Sequence, residues 1–222
     1  MKFFIDTANL KQIEDMLKKG FISGITTNPS ILAKEPKSDF VGHIKKIVSL
    51  CNTYKEVPLS VEVFAKEPKN MLTQAVELYE KIGYSKLNIK IPVGYEELEV
   101  VNKLSSNYNI DVNVTCCFTE AQLQLSALAG AKYVSLFYNR LIDFGGNPIK
   151  ILNNTRNNFD KNNIQSEIIV GSIRNPIDVT NSWAAGGHIV TAGYNLFPDI
   201  LSHPQTDKSV EGFLTDFKNW IS

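Results

Sequence analysis

The stretch Leu87-Asn88-Ile89-Lys90-Ile91-Pro92-Val93 has the pattern of a short, fully buried β-strand with a single lysine among apolar residues. Burial disfavours the charged form of a lysine, and the cost of an unpaired buried charge forces such a group to neutralise or to find a partner. A neutral amine is a nucleophile, and desolvated lysines form Schiff bases with carbonyl substrates. Two non-catalytic alternatives remain: Lys90 reaches solvent at the strand end, or it pairs with a buried carboxylate.

Short apolar segments of the same kind recur along the chain, with helical patterns between them. The predicted strands span residues 2–6, 21–26, 59–64, 87–91, 110–115, 133–137, 168–172 and 189–192. Asn28-Pro29 and Asn175-Pro176 predict helix starts, because asparagine caps a helix and proline suits the first helical position. Strands that alternate with helices indicate a parallel sheet with crossover helices.

Eight such strands are the number that closes a barrel. We therefore predict an α/β fold, a single-domain (β/α)8 TIM barrel over residues 1–222. An open doubly wound sheet is the alternative, but no strand is followed by a GxGxxG or P-loop glycine pattern. An additional C-terminal helix over 207–221 carries an apolar stripe and is expected at the barrel base or at a subunit interface; the stripe is Val210, Phe213, Leu214, Phe217 and Ile221.

The composition of the chain limits the kinds of molecule that it is expected to bind. Lys+Arg and Asp+Glu number 23 each among 222 residues, which leaves no electrostatic footprint for nucleic acid or an anionic membrane. No apolar run approaches the length of a membrane span, and the opening residues do not read as a secretory signal. The three cysteines lack metal-ligand spacing and do not form a disulfide framework. We expect a cytoplasmic protein that binds neither nucleic acid nor membrane.

Polar side chains collect where the predicted strands end, the edge at which barrel active sites lie. These candidates are Asp6, Asn28, Glu62, Lys90, Asn113, Thr115, Ser135, Phe137, Arg140, Ser172 and Arg174. Taken singly, most have a structural explanation, as a helix cap or a solvated loop charge. Glu62 and Lys90 could form a buried structural ion pair. Together, however, these residues form the constellation of a catalytic site.

The chemistry follows from the residue types. A neutral Lys90 would attack a ketone, while Glu62, acting through a water, and Thr115 would handle the protons of iminium formation. Asp6 would take the proton from the hydroxyl that becomes an aldehyde when a carbon–carbon bond breaks. Substrate hydroxyls would be held by Asn28, Asn113 and Ser135, and a phosphate by Arg140, Ser172 and Arg174. No metal cluster is evident, and this mechanism needs neither a metal nor a cofactor.

Many segments of the chain resemble the transaldolase family, specifically the small transaldolases grouped with fructose-6-phosphate aldolase. The matching segments are Phe4-Ile5-Asp6-Thr7-Ala8, Gly24-Ile25-Thr26-Thr27-Asn28-Pro29-Ser30, Ser60-Val61-Glu62-Val63, Ile89-Lys90-Ile91-Pro92, Asn113-Val114-Thr115, Ala127-Leu128-Ala129-Gly130-Ala131, Tyr133-Val134-Ser135, Asn139-Arg140 and Ser172-Ile173-Arg174. The resemblance spans essentially the whole sequence.

The resemblance implies a (β/α)8 barrel, a Schiff-base lysine at Lys90 and no cofactor. It implies transfer of a dihydroxyacetone unit from a ketose phosphate to an aldose phosphate, in the non-oxidative pentose phosphate pathway. It gives the candidate residues the same roles as the chemistry above, and implies a homo-oligomer, a decamer of two pentameric rings. Departures from the family pattern occur at Leu136, Gly94-Tyr95, Cys116-Cys117 and Gly193-Tyr194-Asn195.

Two positions separate activities within this group. The aldolase branch carries glutamine where this chain has Glu62, and tyrosine where it has Phe137. Both residues here side with transaldolase. Transaldolase is therefore the favoured hypothesis; the alternatives are a fructose-6-phosphate aldolase that releases free dihydroxyacetone, and a non-catalytic barrel that binds sugar phosphates.

Overall fold

A computed structural model describes all residues from 1 to 222. Eight parallel strands follow one another around a closed barrel, and the last pairs with the first. The prediction of a (β/α)8 barrel is confirmed. The strands are β1 (Lys2–Asp6), β2 (Gly24–Thr26), β3 (Leu59–Glu62), β4 (Leu87–Pro92), β5 (Val112–Cys117), β6 (Tyr133–Phe137), β7 (Glu167–Gly171) and β8 (Ile189–Ala192).

Eleven helices occupy the connections and the C-terminus. They are α1 (Leu10–Lys18), α2 (Pro29–Leu32), α3 (Phe40–Tyr54), α4 (Pro68–Ile82), α5 (Glu97–Asn107), α6 (Glu120–Leu128), α7 (Tyr138–Asp143), α8 (Pro148–Lys161), α9 (Pro176–Ala184), α10 (Leu196–Leu201) and α11 (Pro204–Ile221). The predicted caps are confirmed: the Asn28 side chain accepts from the N–H of Ile31, and Asn175 and Asp178 form a capping box at the start of α9.

Alternation along the strands sorts side chains between the barrel interior and the helix layer. A small buried cluster fills the interior near the middle of the strands and consists of Phe4, Tyr133, Ile169 and Ile189. A Cβ at position 24 would collide with the Phe4 ring, which accounts for the glycine there. Two residues further along β1 and β6 the chain places Asp6 and Ser135, both of which line the pocket above this cluster.

Several predicted boundaries are wrong. β2 begins at Gly24 rather than at Phe21, because residues 21–23 form no strand and the Phe21 side chain is exposed. β5 runs on to Cys117, with an irregular register after Val114 and a left-handed backbone at Cys116 (φ 63°). The short helix α7 was not predicted.

The C-terminal helix α11 begins at Pro204, three residues before the predicted start at position 207. Every residue from 201 to 222 is exposed, so this helix does not pack on the base of its own barrel. Its apolar stripe has no cover within the chain, and its place at a subunit interface remains a prediction. None of the helices combines the length and the apolar character that a bilayer crossing requires.

Candidate active site

A polar pocket of about 200 Å³ opens among the C-terminal ends of the strands. Ten of the eleven predicted site residues line it: Asp6, Asn28, Glu62, Lys90, Asn113, Thr115, Ser135, Phe137, Arg140 and Ser172. The exception is Arg174, which lines a neighbouring hollow that shares Asp6 with the pocket. The expectation that polar residues at the C-terminal ends of the strands share one site therefore holds for residues from seven segments of the barrel.

Lys90 and Glu62 face each other in register on β4 and β3. Lys90 Nζ lies 3.0 Å from Glu62 Oε2 and donates a 2.8 Å hydrogen bond to the main-chain oxygen of Thr27. Lys90 is only 5% exposed, so it does not reach solvent at the strand end. Of the two non-catalytic alternatives for Lys90, pairing with a carboxylate is the one observed. The pair lines an open pocket, so the amine is also within reach of a ligand.

Asp6 lies at the end of β1, which pairs with β2 on one side and with β8 on the other. Thr26 Oγ1 donates a 2.6 Å hydrogen bond to Asp6 Oδ1. Loss of hydration raises the pKa of Asp6, and this effect outweighs the Lys90 charge and the Thr26 hydrogen bond, both of which lower it. A carboxyl group with a raised pKa is both a better base and a more available acid than an ordinary aspartate.

Hydroxyl and amide groups of β5 and β6 are joined by a short hydrogen-bond chain inside the barrel. Ser135 Oγ donates to Asn113 Oδ1 at 2.7 Å, and Asn113 Nδ2 donates to Ser60 Oγ at 3.2 Å. Thr115, two residues after Asn113, has a buried hydroxyl with no partner in the protein. An unsatisfied buried hydroxyl in a pocket is available to a water molecule or a substrate.

The pocket wall beyond β6 combines Phe137 with Arg140. Phe137 packs edge-on against Phe118, with ring centroids 5.7 Å apart. Arg140 extends from α7 so that its guanidinium lies over the Phe137 ring. Asn28 lines the pocket although its Oδ1 caps α2, so the cap role and a place in the site are compatible.

Ser172 and Arg174 belong to the loop between β7 and α9. Ser172 has a left-handed backbone (φ 59°), which is uncommon for a residue with a side chain. Arg174 forms a two-point ion pair with Asp143, at 2.8 and 2.5 Å. This pair explains why Arg174 is absent from the pocket, because its guanidinium is turned toward the end of α7.

Seven of the residues that line the pocket were not predicted as part of the site, among them Thr26, Cys116 and Thr191. The Thr26 hydroxyl donates a hydrogen bond to Asp6, and its oxygen lies 2.6 Å from the hydroxyl oxygen of Thr191 on β8. Their position two residues or fewer from a strand end was the only signal in the sequence. Cys116 also lines the pocket, and burial, with the Glu62 charge, raises the pKa of its thiol. A thiol with a raised pKa stays protonated at neutral pH and is a weak nucleophile beside Lys90.

A closed parallel barrel with an ion-paired lysine, a desolvated carboxyl group and amide and hydroxyl side chains in its mouth defines a barrel protein of the kind that works on small polar ligands. The chain belongs to the transaldolase/fructose-6-phosphate aldolase family, whose model matches residues 3–221. Family membership makes it an enzyme of the transaldolase type.

Individual relatives are similar in sequence to this chain over nearly their full length. The chain is 39% identical over 219 residues to a probable transaldolase of Clostridium tetani, covering 99% of each protein. It is 41% identical to a probable transaldolase of Clostridium acetobutylicum, covering 98% of each. A solved structure of thiamine phosphate pyrophosphorylase from Pyrococcus furiosus has a TM-score of 0.63 at 11% identity, over 90% of this chain and 89% of that one, a likeness of fold alone.

Proposed function

We propose that the protein is a transaldolase that carries a dihydroxyacetone unit on Lys90. The donor is a ketose phosphate, sedoheptulose 7-phosphate or fructose 6-phosphate. The acceptor is an aldose phosphate, glyceraldehyde 3-phosphate or erythrose 4-phosphate. The proposal places the enzyme in the non-oxidative pentose phosphate pathway. The observation that carries it is the contact between Lys90 and Glu62 inside a pocket that a ligand can enter.

Imine formation begins with a proton transfer from the Lys90 ammonium to Glu62, for which the 3.0 Å contact is already in place. The neutral amine then attacks the ketone carbon, and the resulting carbinolamine loses its hydroxyl as water with the proton that Glu62 returns. Overall, an ammonium and a ketone become a protonated imine and one water. The first proton transfer needs no bridging water between Lys90 and Glu62. The Thr115 hydroxyl, which has no partner in the protein, can hold the water molecule that the carbinolamine releases.

Carbon–carbon cleavage uses the protonated imine as an electron sink. Asp6 takes the proton of the hydroxyl on the second carbon beyond the imine carbon, the bond between the first and second carbons beyond the imine breaks, and an aldose phosphate leaves. The three-carbon unit stays on Lys90 as an enamine. Attack of the enamine on the acceptor aldehyde returns the proton from Asp6 to the new hydroxyl. The raised pKa of Asp6 suits a group that must both accept and return this proton.

Substrate contacts are assigned to the side chains around this centre. Asn28, Asn113 and Ser135 hold the hydroxyls of the dihydroxyacetone portion. Arg140 and Ser172 lie further along the same pocket and bind the phosphate. Arg174 joins them by exchanging its contact with Asp143 for one with the phosphate, since both are anionic partners of a guanidinium.

The alternatives make different predictions in one experiment. Borohydride added with fructose 6-phosphate should fix a three-carbon adduct on the Lys90 peptide, detected by mass spectrometry, and Lys90→Met should give none. A transaldolase then turns over only when erythrose 4-phosphate is supplied, whereas an aldolase releases free dihydroxyacetone without it. Binding of the sugar phosphate with no adduct in the wild type would instead indicate a non-catalytic barrel.

A further inference from the structure

Asp178 is a buried aspartate, 6% exposed, on the first turn of α9. Its Oδ2 accepts hydrogen bonds from Asn139 Nδ2 at 2.7 Å, from the Asn175 N–H at 2.9 Å and from the Arg174 N–H at 3.2 Å. None of these donors is charged, so the hydrogen bonds to the carboxylate all come from neutral N–H groups. Burying a carboxylate in this way is costly unless every such bond is made.

Asn139 connects this carboxylate to the loop after β7. Its side-chain Nδ2 donates both to Asp178 Oδ2 and, at 2.9 Å, to the main-chain oxygen of Ser172. Its main-chain N–H donates to the same Ser172 oxygen at 3.2 Å. Two hydrogen bonds from one residue therefore hold Ser172, whose left-handed backbone is unfavourable for a residue with a side chain.

Each residue assigned to the phosphate is adjacent to this pair. Arg140 follows Asn139 in the chain, Ser172 accepts from Asn139, and the main chain of Arg174 donates to Asp178. We propose that Asp178, acting through Asn139, is a positioning residue that fixes Arg140 relative to Ser172 and so sets the preference for phosphorylated over non-phosphorylated sugars. This inference rests on the proposed function, in which Arg140 and Ser172 bind phosphate.

A helix cap alone does not require the contact between Asp178 and Asn139. α6 provides the comparison, because Gln122 holds the same capping-box position and its Oε1 accepts only from the N–H groups of Phe118 and Thr119. Asp178 makes the equivalent bonds to the N–H groups of Asn175 and Arg174, and adds one from the side chain of Asn139 on α7. Gln122→Ala is therefore a matched control for loss of a capping box at the same rim of the barrel.

The test compares fructose 6-phosphate with fructose as donors, using Asn139→Ala, Asp178→Ala and Gln122→Ala. The first two variants should raise KM for fructose 6-phosphate on the order of tenfold, as expected when a charged hydrogen bond is misaligned, with kcat little changed. Their kcat/KM for fructose should stay within about twofold of wild type, because that donor makes no phosphate contact. Gln122→Ala should lower the melting temperature without altering the ratio between the two donors. The double variant should be no worse than either single one, because the two residues act in series.

Calorimetric titration with inorganic phosphate provides a readout that needs no catalysis. Asn139→Ala should weaken phosphate binding by a similar factor. If it keeps the wild-type ratio between donors and the wild-type affinity for phosphate, the positioning role is wrong; the same holds if Gln122→Ala matches its effect. Should Asp178→Ala fail to fold, Asn139→Ala decides alone. Absence of a borohydride adduct on Lys90 would overturn the proposed function, while the phosphate titration would still test the role of Asp178.

Discussion

The guanidinium carbon of Arg140 lies 4.6 Å from the centroid of the Phe137 ring, so that cation and ring form one wall of the pocket. Such a contact orients an arginine without using its N–H donors, which stay free for an anion. It also fixes the ring beside the position where the enamine on Lys90 would await an acceptor. Phe137 offers no hydroxyl there, whereas a tyrosine would.

Phe137→Tyr should raise the release of free dihydroxyacetone from fructose 6-phosphate and lower transfer to erythrose 4-phosphate. A tyrosine hydroxyl can protonate the enamine or order a water for hydrolysis of the imine, and phenylalanine can do neither. Coupled assays of both products measure the ratio. Phe137→Leu is the control, since it removes the ring without adding a hydroxyl and should not favour release. An unchanged ratio in Phe137→Tyr would rule out this role.

Thr26→Val should move the acidic limb of the kcat/KM profile to higher pH. Asp6 must be ionised to accept a proton, so activity falls as the pH drops through its pKa. The Thr26 hydrogen bond lowers that pKa, and its loss should raise the pKa further. Thr53→Val on α3 removes an exposed hydroxyl far from the site and should leave the profile unchanged. A limb that moves to lower pH would contradict the assignment of Asp6 as the base.

Asp6→Asn should abolish turnover and raise the free energy of unfolding at pH 7, by on the order of 1 kcal/mol. Because the pKa of Asp6 is raised in the folded protein, folding takes up protons and the stability from this group declines as pH rises from the ordinary aspartate pKa to the folded one. The gain from asparagine should therefore shrink in acid. Urea unfolding at pH 7 and pH 4 checks this; a lower midpoint at pH 7 would refute it.

Arg174→Ala should chiefly raise KM for phosphorylated substrates. The rise should correspond to a loss of about 1.5–3 kcal/mol in binding free energy, as expected for a charged hydrogen bond. The loss of stability should be small, because the ion pair with Asp143 is exposed. Arg156→Ala is the matched control, since Arg156 pairs with Asp160 on α8. Equal losses for fructose and fructose 6-phosphate would show that Arg174 does not bind the phosphate.

Truncation after His203 should break a large homo-oligomer into smaller species in light scattering. The exposed face of α11 carries Val210, Phe213, Leu214, Phe217, Trp220 and Ile221, an apolar surface that a soluble monomer rarely presents. We expect a second copy of the chain to cover it, in the decamer of two pentamers that the family resemblance implied. If the truncated protein keeps the mass of the full assembly, the helix is not the interface.

Local pattern was enough to predict the existence and order of the eight strands, and to raise the pairing of Glu62 with Lys90 as one of two interpretations. Both residues stand late in apolar strands that follow each other in the chain, and the barrel order then brings them face to face. The pattern failed at α7, whose six residues are too few to establish a helical period. It also failed at residues 21–23, where apolar side chains precede β2 without entering it.

Contacts between loops lay beyond sequence reasoning. The pair of Arg174 with Asp143 joins residues 31 positions apart, one in the loop before α9 and the other at the end of α7. Asp178 reads as an ordinary capping-box acid in the sequence, since nothing local indicates that Asn139 will reach it. Pairings of this kind follow from tertiary structure and not from the periodicity of either segment.

In the proposed mechanism, the residues that make and break bonds and the residues that bind the phosphate come from different halves of the chain. Asp6, Glu62, Lys90 and Thr115 all come from β1 to β5, within the first 117 residues. Arg140, Ser172 and Arg174 all follow β6 or β7. If the proposed roles hold, bond making and phosphate binding are therefore encoded in separate parts of the gene. A lineage could exchange or drift in the second half and acquire a new sugar, while inheriting the carbon–carbon chemistry of the first half intact.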